Sequence, residues 1–528
     1  MADVLIDPET DPRATLALSP TRVRQLAAYA TTSGDERALT TPLTGGPLGT
    51  ISLSTEADVE QAYAVARHAQ QAWSERSIEE RSAIVLRFHD LVMANRSELL
   101  DLIQLESGKV RRHAFEEVAD VATCARHYGR GAARYLRPKR RGPGAFPLLS
   151  QAVESYLPKG VIGIVSPWNY PLSLAITDAI PALLAGNAVV LRPDLQGTLT
   201  ALAAVELIVQ AGLPRGVLQV VLGSGSTIGQ AVIDRADYVC YTGSTPTGRK
   251  VAESVAGRLI GYSLELGGKN SLYVAADAPI ARSVEIAVRG AFSSAGQLCI
   301  GHERILVHTD VYDEFVPAFV AAVKDMRLGT ELSFGYDMGS LVGQRQLETV
   351  TEHVEDARAR GATVLTGGRA RPDLGPYMYE PTVLTGVTRE MACRDEETFG
   401  PVTSVYRVAS DEEAIELAND TEYGLNAAVL TGSVRHGRAI ASRLRAGTVN
   451  INEAYAAAWA SMGAPMGGMK ASGIGRRHGA EGILKYTESQ NVTAQHLLGF
   501  GAPPGLSDEQ FANILATSMS VLKKIGIR

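Results

Sequence analysis

The sequence predicts a two-lobed α/β protein. In two successive stretches, strand-length apolar runs alternate with helix-length segments, first over residues 151–275 and then from about residue 270 onward. Such alternation is typical of parallel sheets that are covered by helices on both faces. With 528 residues, of which 45% are hydrophobic, the chain is long enough to bury the cores of two or more domains.

A helical region comes before the first of these stretches, over about residues 55–135. Its apolar residues recur at intervals of three and four, beginning with Val59 and Ala62. Thr55 and Asp58 are spaced as in a capping box, so we expect a helix to begin directly after Thr55.

The first alternating stretch contains five strand-like runs and two glycine-rich turns. The runs are GVIGIVS, AVVLRP, GVLQVVLG, ADYVCYTGS and YSLELGG. The turn GSGSTIG at 223–229 lacks the Lys-Ser/Thr pair of a nucleotide-binding P-loop. The turn YTGSTPTG at 241–248 is the stronger candidate, because Ser244 would begin a helix whose free backbone N–H groups can bind an anion. An ordinary strand-to-helix turn is the alternative.

Charge, hydropathy and cysteine spacing exclude several classes of protein. The chain has a net charge of −6 and no run of about 18 apolar residues, so we expect no binding to nucleic acid or to a membrane. The first 20 residues are polar and acidic, unlike a secretory signal, and we expect a cytoplasmic protein. The four cysteines form no C-x-x-C pair, so we predict neither a metal site nor a disulfide framework.

The four cysteines therefore need separate explanations. Cys299 lies in the small-residue run SSAGQLC, where an accessible thiol can act as a nucleophile once it loses its proton. For Cys124, Cys240 and Cys393 we expect ordinary buried packing, since a free cysteine usually behaves as a small hydrophobic residue.

Two further polar residues adjoin apolar runs and have the chemistry that such a thiol requires. Glu265 ends the run in LELGGK, where partial burial would raise the pKa of its carboxyl toward the range of a general base. Asn169, in SPWNYP, follows a strand and can donate its amide N–H to a developing oxyanion. No G-x-S-x-G elbow is present, and HERIL at 302–306 lacks the final histidine of an H-E-x-x-H metal site.

Seven short motifs, taken in order, resemble those of the NAD(P)-dependent aldehyde dehydrogenase superfamily. They are SPWNYP (166–171), GSGSTIG (223–229), YTGSTPTG (241–248), LELGGKN (264–270), AGQLC (295–299), EETFGPV (396–402) and PMGGMKASGIGR (465–476). The resemblance extends from about residue 45 to about residue 490. It implies a Rossmann-type cofactor domain, an α/β catalytic domain and a small β extension for oligomerisation. The implied ranges are 20–136 with 159–268 for the cofactor domain, 269–480 for the catalytic domain, 137–158 with 484–498 for the extension, and 499–528 for a C-terminal tail.

The resemblance also implies roles for three catalytic residues. Cys299 would attack the aldehyde carbon and, after hydride transfer to the cofactor, would carry the acyl group as a thioester. Asn169 and the backbone N–H of Cys299 would form the oxyanion hole, and Glu265 would activate the water that hydrolyses the thioester. A sulfur nucleophile suits this chemistry because it divides one oxidation into two easier steps.

Four residues match the positions that hold the cofactor in the family. Ser244 matches the pyrophosphate position, and Trp168 matches an aromatic residue that lines the cofactor. Glu397 and Phe399 match the pair that holds the nicotinamide ribose and ring.

A departure from the family pattern bears on cofactor choice. Where many members read K-P-x-E, this chain has Arg192 at the first position and Leu195 at the last. Leu195 removes a negative charge that would repel a 2′-phosphate, and Arg192 adds a permanent cation suited to one. We therefore predict NADP as the cofactor, while NAD stays open because Asp194 is close by.

The aldehyde itself is less well specified. Within the superfamily the chain is most similar to the actinobacterial second-type succinate-semialdehyde dehydrogenases, which implies oxidation of succinate semialdehyde to succinate. Better-known enzymes of that activity have two arginines where this chain has Thr177 and Ser293, and the substrate-side loop offers Tyr455 and Trp459 but no basic residue. Loss of both cations would weaken carboxylate binding. The alternative is the same chemistry on a larger or more apolar aliphatic or aromatic aldehyde.

Two other kinds of protein stay open as alternatives. A cofactor-binding relative without activity is disfavoured because Cys299, Glu265 and Asn169 are all present. An acylating or phosphorylating variant, which would use CoA or phosphate in place of water, is disfavoured by Glu265. Apart from a small-molecule aldehyde, the partner that we expect is a second copy of the chain, in a homodimer or homotetramer.

Overall fold

A computed structural model describes residues 18–142, 150–496, 499 and 501–526. The expectation for the acidic N-terminal stretch falls almost entirely on residues 1–17, which lie outside the described residues. Parts of the predicted β extension and of the C-terminal tail, at 143–149, 497–498, 500 and 527–528, also lie outside them.

The helices lie in the order that the periodicity predicts, with a helix-rich region before the first sheet. They are α1 (Pro20–Ala27), α2 (Glu56–Glu75), α3 (Ile78–Ala94), α4 (Arg96–Ser107), α5 (Arg111–Leu136), α6 (Ser173–Ile176), α7 (Ala179–Leu184), α8 (Thr198–Gln210), α9 (Gln230–Arg235), α10 (Thr245–Ala256), α11 (Ile280–Phe292), α12 (Thr309–Lys324), α13 (Gln344–Ala359), α14 (Ala392–Asp395), α15 (Asp411–Asn419), α16 (Val434–Ala441), α17 (Ala456–Trp459), α18 (Gly479–Leu484) and α19 (Asp508–Lys524). The predicted capping box is confirmed, since Thr55 and Asp58 cap α2 reciprocally.

The strands form four sheets among the described residues. They are β1 (Glu36–Thr40), β2 (Pro47–Ser52), β3 (Lys139–Arg141), β4 (Ser150–Pro158), β5 (Val161–Ser166), β6 (Ala188–Pro193), β7 (Leu218–Val220), β8 (Tyr238–Thr242), β9 (Gly261–Glu265), β10 (Asn270–Val274), β11 (His302–His308), β12 (Thr363–Thr366), β13 (Thr382–Thr385), β14 (Val402–Val408), β15 (Asn426–Leu430), β16 (Thr448–Ile451), β17 (Gly473–Ile474) and β18 (Thr487–Gln495).

A six-stranded sheet organises the first lobe, in the order β17-β9-β8-β5-β6-β7. Strands β5 to β9 run parallel to their neighbours, and β17 pairs antiparallel with β9. The order β9-β8-β5-β6-β7 places the first of these five strands in the middle, as in a doubly wound nucleotide-binding sheet. The predicted Rossmann-type architecture is confirmed. Every side chain of β5 and of β6 is buried, because helices cover both faces.

A seven-stranded sheet organises the second lobe, in the order β12-β13-β14-β11-β10-β15-β16. All neighbours are parallel except β12, which pairs antiparallel with β13 at one edge. The hydrophobic core divides in the same way: one cluster surrounds the first sheet and contains Trp73 and Phe88, and another surrounds the second sheet and contains Phe292 and Phe319. The α/β class is confirmed, while the domain boundaries stay a prediction.

A three-stranded antiparallel sheet, β18-β4-β3, lies outside these two cores. Most side chains of β18 are exposed, and the C-terminal helix α19 buries only Phe511 among its described side chains. No helix in the described part of the chain combines the length and the apolar composition needed to cross a membrane.

Candidate active site

The residues predicted to hold a cofactor lie at one edge of the six-stranded sheet. Chain order reverses on either side of β5, and the carboxyl ends of parallel strands leave a ligand-binding crevice at such a point. Trp168 and Asn169 follow β5, Ser244 follows β8, and Arg192 lies near the end of β6. Glu265 is the last residue of β9, at the same edge.

Two adjacent glycines let the segments that contain Glu265, Cys299 and Glu397 approach one another closely. The backbone N–H of Gly268 donates a 2.9 Å hydrogen bond to Oε1 of Glu397. A Cβ atom at Gly267 would lie 2.5 Å from Oε2 of Glu397, and one at Gly268 would lie 2.7 Å from the carbonyl oxygen of Cys299. Larger residues at these two positions would therefore force three of the sequence motifs apart.

Cys299 follows a tight turn at the end of α11. Ser294 and Gly296 in this turn have φ values of +52° and +69°, in the left-handed region that residues other than glycine seldom adopt. Tertiary contacts fix the turn. The backbone N–H of Ser294 donates to Nδ1 of His113 at 3.0 Å, and Nδ2 of Asn270 donates to the carbonyl oxygen of Cys299 at 2.7 Å.

The thiol of Cys299 is more exposed than the other three cysteine side chains, which are buried as predicted. Desolvation within the site, followed by the charges of Glu397 and Glu265, raises the pKa of this thiol to about 12. Because the thiolate is the reactive form, a nucleophilic Cys299 needs a neighbouring group to accept its proton.

Glu265 has the properties of such a proton acceptor. Its side chain is 8% exposed, and burial raises the pKa of its carboxyl to about 7 against the opposing effect of two nearby cations, Arg477 and Lys485. The predicted upward shift is confirmed. A carboxyl that is half ionised near neutral pH can both accept and release a proton during turnover.

Asn169 is held by hydrogen bonds on its backbone and on its side chain. Its Nδ2 donates to the carbonyl oxygen of Gln297 at 3.1 Å. Its own carbonyl oxygen accepts from Nζ of Lys109 at 2.6 Å, and Lys109 also donates to Glu117 at 2.7 Å inside the core. An amide nitrogen carries two hydrogens, so one N–H of Asn169 is available for a second acceptor.

Ser244 caps α10 without using its hydroxyl to do so. The exposed Ser244 side chain donates to Thr247 at 3.1 Å, and no side-chain cap satisfies the first backbone N–H groups of α10. The prediction that a helix begins here is confirmed. Free N–H groups and the positive end of the helix dipole suit a pyrophosphate.

Phe399 lies against Trp168, with ring centroids 5.6 Å apart and planes at 85°. Phe399 has a φ of +53°, and its backbone N–H donates to the carboxylate of Glu303 at 2.9 Å. Lys269 forms an ion pair with Glu303 and donates to the carbonyl oxygen of Glu396 at 2.7 Å. Sequence reasoning missed this buried pair, which fixes the loop that contains Glu397 and Phe399.

Arg192 is a fixed cation at the edge of the crevice. Its Nε and Nη2 donate to the carbonyl oxygen of Gly223 at 2.9 and 2.6 Å, and its Nη1 lies 3.4 Å from the carboxylate of Asp194. The uncapped helix, the two aromatic rings and the Glu397 carboxylate around this crevice fit a nicotinamide dinucleotide.

One cavity contains all three predicted catalytic residues, and it encloses about 640 Å³ including the part that is open to solvent. Cys299, Glu265 and Asn169 line it together. In the chain, Glu265 precedes Cys299 by 34 positions and Asn169 precedes it by 130, so only the fold brings the three residues together.

The three residues predicted for the substrate pocket differ in position. Thr177 and Trp459 line the cavity. Ser293 is not among the described residues that line it, and its Oγ lies 2.8 Å from the hydroxyl oxygen of Tyr455, which does line the cavity.

Sequence reasoning missed three charged residues of the cavity wall. Glu116 and Asp120 lie one turn apart on α5, and Arg477 comes from the segment before α18. Charged side chains four residues apart on the buried face of a long helix were the available signal for the two acids. No spacing rule singles out Arg477, the second of two adjacent arginines.

Comparison with known proteins agrees with this geometry. Residues 29–492 match the model of the aldehyde dehydrogenase family. The chain belongs to the aldehyde dehydrogenase family. Its reaction is the NAD(P)-dependent oxidation of an aldehyde to the corresponding acid, and the superfamily predicted from the seven motifs is confirmed.

Curated relatives and solved structures resemble the chain over most of its length. It is 51% identical over 489 residues to a Mycobacterium ulcerans protein named "Putative succinate-semialdehyde dehydrogenase 2" with NADP(+), covering 92% of this chain and 94% of that one. A Mycolicibacterium smegmatis protein with a similar name is 51% identical over 505 residues, covering 96% and 98%. The NAD+ complex of a Bacillus cereus aldehyde dehydrogenase superimposes with a TM-score of 0.85 at 32% identity, covering 91% and 99%.

Proposed function

We propose that this enzyme oxidises succinate semialdehyde to succinate with NADP+, through a thioester on Cys299. The observation that carries the catalytic part is that Cys299, Glu265 and Asn169 line a single cavity beside the cofactor crevice. A nucleophile, a base and an oxyanion donor are the groups that this oxidation requires.

In the first step, Sγ of Cys299 attacks the aldehyde carbon and its proton passes to the carboxylate of Glu265. The carbonyl oxygen becomes an oxyanion as the C–S bond forms. The free N–H of Asn169 and the backbone N–H of Cys299 donate to that oxygen, which lowers the energy of the thiohemiacetal.

A bound nicotinamide cofactor would supply the hydride acceptor for oxidation of the thiohemiacetal carbon. Trp168 and Phe399 would hold the ring and Glu397 its ribose, while the N-terminal N–H groups of α10 at Ser244 would bind the pyrophosphate.

Glu265 releases the thiol proton to solvent and then, in the last step, takes a proton from a water molecule, which attacks the thioester carbon. The C–S bond breaks, the acid leaves, and the sulfur of Cys299 recovers a proton. With a pKa of about 7, Glu265 is ionised often enough at neutral pH to serve as this base.

Two observations support the substrate and the cofactor. The relatives at 51% identity are named for succinate semialdehyde and for NADP(+). Leu195 leaves Arg192 at the crevice edge without an opposing glutamate, although Asp194 lies 3.4 Å from its Nη1. The alternative substrate, a larger apolar aldehyde, is favoured by the apolar part of the cavity wall, which includes Leu298, Leu425 and Met466.

Initial rates of the purified enzyme would test this proposal. They would be measured by reduced nicotinamide for succinate semialdehyde, pentanal and benzaldehyde, each with NADP+ and with NAD+. We expect the largest kcat/KM for succinate semialdehyde with NADP+. A larger value for pentanal or benzaldehyde would overturn the proposed substrate, and a larger value with NAD+ would overturn the proposed cofactor.

We also propose a homodimer or homotetramer in the cytoplasm. The antiparallel pair β4-β18 exposes most of the β18 side chains and leaves a sheet edge with which a second copy of the chain could pair.

The proposal of a cytoplasmic location rests on the thiol. A nucleophilic thiol must stay reduced, which suits a reducing compartment. Light scattering of the purified protein would test the oligomeric state, and fractionation of the source cells would test the compartment.

A further inference from the structure

An aldehyde that carries a carboxylate requires a cation in the cavity. At the two positions where better-known succinate-semialdehyde dehydrogenases have arginines, this chain has Thr177 and Ser293. Arg477 lies next to the first of them. Its Nη2 donates to Oγ1 of Thr177 at 2.7 Å, although the two residues are 300 positions apart. A guanidinium from a distant segment therefore reaches the place where the chain lacks an arginine.

Only one of the three guanidinium nitrogens of Arg477, Nη2, contacts a polar side chain of the described residues. Nη2 also lies 2.8 Å from the carboxylate of Asp178. Nε and Nη1 make no hydrogen bond to any described residue, and the side chain is 11% exposed where it lines the cavity with Cys299. The unused N–H groups of Nη1, in a largely buried guanidinium, suit an anionic acceptor.

Arg477 shares the carboxylate of Asp178 with a second cation. Asp178 is shared with Lys485, whose Nζ lies 3.1 Å from its carboxylate. Although burial opposes ionisation, Arg477 and Lys485 hold the pKa of Asp178 well below its usual range. Asp178 thus contacts two cations, and Glu265 and Asp120 act on Arg477 only through their charges, so the hydrogen bonds of Nη1 stay available to an anionic ligand.

We propose that Arg477 binds the carboxylate of the aldehyde substrate through its Nη1 donor, beside Thr177, while the aldehyde carbon lies at Cys299. The inference rests on the proposed function, because it assigns the recognition of an acidic substrate in the same cavity. Arg477 thereby replaces the cation that position 177 does not provide.

Two acids of the same wall constrain this arrangement. Glu116 accepts hydrogen bonds from Tyr455 at 3.0 Å and from Tyr170 at 3.5 Å. Asp120 accepts from Ser173 through Oδ2, while its buried Oδ1 has no partner among the described residues. An ionised Asp120 repels a substrate carboxylate, so removal of its charge and removal of the charge of Arg477 have opposite effects on an acidic aldehyde.

The test compares succinate semialdehyde with pentanal, an uncharged aldehyde of similar length, in wild type, Arg477→Gln and Arg476→Gln. Arg476 is the matched control, because its charge also acts on Glu265 but its Nη1 donates to the carbonyl oxygens of Gly468 and Gly475. We expect the kcat/KM ratio of succinate semialdehyde to pentanal to fall roughly 10- to 100-fold in Arg477→Gln, as for one lost charge-assisted hydrogen-bond pair. The ratio should stay within about twofold of wild type in Arg476→Gln.

An equal loss for both aldehydes in Arg477→Gln would overturn the inference, since Arg477 would then act only through Glu265. A wild-type enzyme that does not prefer succinate semialdehyde would overturn the proposed substrate as well. A wild-type preference that survives Arg477→Gln would overturn this inference alone.

A second variant leaves Arg477 in place and covers the case in which Arg477→Gln does not fold. In Asp120→Asn we expect KM for succinate semialdehyde to fall severalfold, with KM for pentanal unchanged. A rise in KM for succinate semialdehyde would contradict the inference and would instead favour a substrate that donates a hydrogen bond to Asp120. The melting temperature and the NADP+ affinity of each variant would show that the fold and the crevice are intact.

Discussion

The cavity has a catalytic edge, formed by Cys299, Glu265 and Asn169, and a charged wall, formed by Glu116, Asp120 and Arg477. The two are assembled in different ways. At the edge, Asn169 and Glu265 each stand at or just after the end of a parallel strand, within a short sequence motif. In the wall, Glu116 lies on α5 and Arg477 comes from a turn more than 300 residues later. Asn169 and Glu265 are thus fixed by local segments of the first sheet, and Cys299 by the tight turn after α11, whereas the residues that distinguish one aldehyde from another follow no such local motif.

This difference has a consequence for function. Changes at the edge should affect every aldehyde alike, since they act on the carbonyl group that all aldehydes share. Changes in the wall should affect acidic and uncharged aldehydes differently. Variants of Cys299 and Asn169 test the expectation for the edge, and variants of Arg477 test the expectation for the wall.

The largest effect is expected from Cys299→Ala. Without the sulfur no thioester can form, and kcat should fall by up to about 10⁶-fold for every aldehyde, the size of loss that follows removal of a covalent nucleophile. Steady-state rates with succinate semialdehyde and pentanal, together with NADP+ affinity by fluorescence, would check this. Cofactor affinity should be retained.

Cys393→Ala provides the matched control for that variant. Cys393 is buried in the core of the second lobe and is 2% exposed. We expect its loss to lower the melting temperature slightly and to leave kcat unchanged. Activity that survives Cys299→Ala but not Cys393→Ala would mean that the wrong cysteine has been assigned.

A smaller loss is expected from Asn169→Ala. Removal of one oxyanion donor should lower the rate of the acylation step by roughly 10²- to 10³-fold, equally for acidic and uncharged aldehydes. Stopped-flow measurement of the first turnover would report this step directly. A loss confined to succinate semialdehyde would contradict the assignment, because Asn169 would then belong to the charged wall.

A change of pH should alter the rate of the hydrolytic step by less than either of these substitutions. Burial raises the pKa of Glu265 to about 7, and the ionised form is the base. Below that pH the carboxyl is protonated, so kcat should fall about tenfold per pH unit and level off above it. Asp120 has a pKa raised to about 6 by burial, and Asp120→Asn should keep this profile. A profile that is flat from pH 5 to 8 would exclude Glu265 as the base.

Much of the fold and of the edge could be predicted from the sequence. The alternation of buried strands with helices gave the α/β class, and the helix starts at Thr55 and Ser244 followed from capping chemistry. The upward pKa shift of Glu265 followed from its place at the end of an apolar run. These features are local, and local spacing is what a single sequence records.

The rest could not be predicted, because it depends on contacts between distant segments. Ser293 matches a pocket position by spacing, yet its hydroxyl contacts that of Tyr455 and it is not among the described residues that line the cavity. The cation near Thr177 comes from Arg477, which no periodicity connects to it. The Lys269–Glu303 pair that fixes the Phe399 loop joins two strands of the second sheet region, and each residue alone reads as an ordinary surface charge.

The most direct test of the account is the first turnover of Glu265→Gln with succinate semialdehyde and NADP+. This variant keeps the size of the side chain but removes the base proposed for hydrolysis. We predict a burst of reduced cofactor that rises more slowly than in wild type, because Glu265 also accepts the thiol proton, but still approaches one equivalent per active site. Steady turnover should be lowered roughly 10²- to 10⁴-fold, and mass spectrometry should find a succinyl adduct on the peptide that contains Cys299. Unchanged steady turnover, or an adduct on another cysteine, would contradict the account.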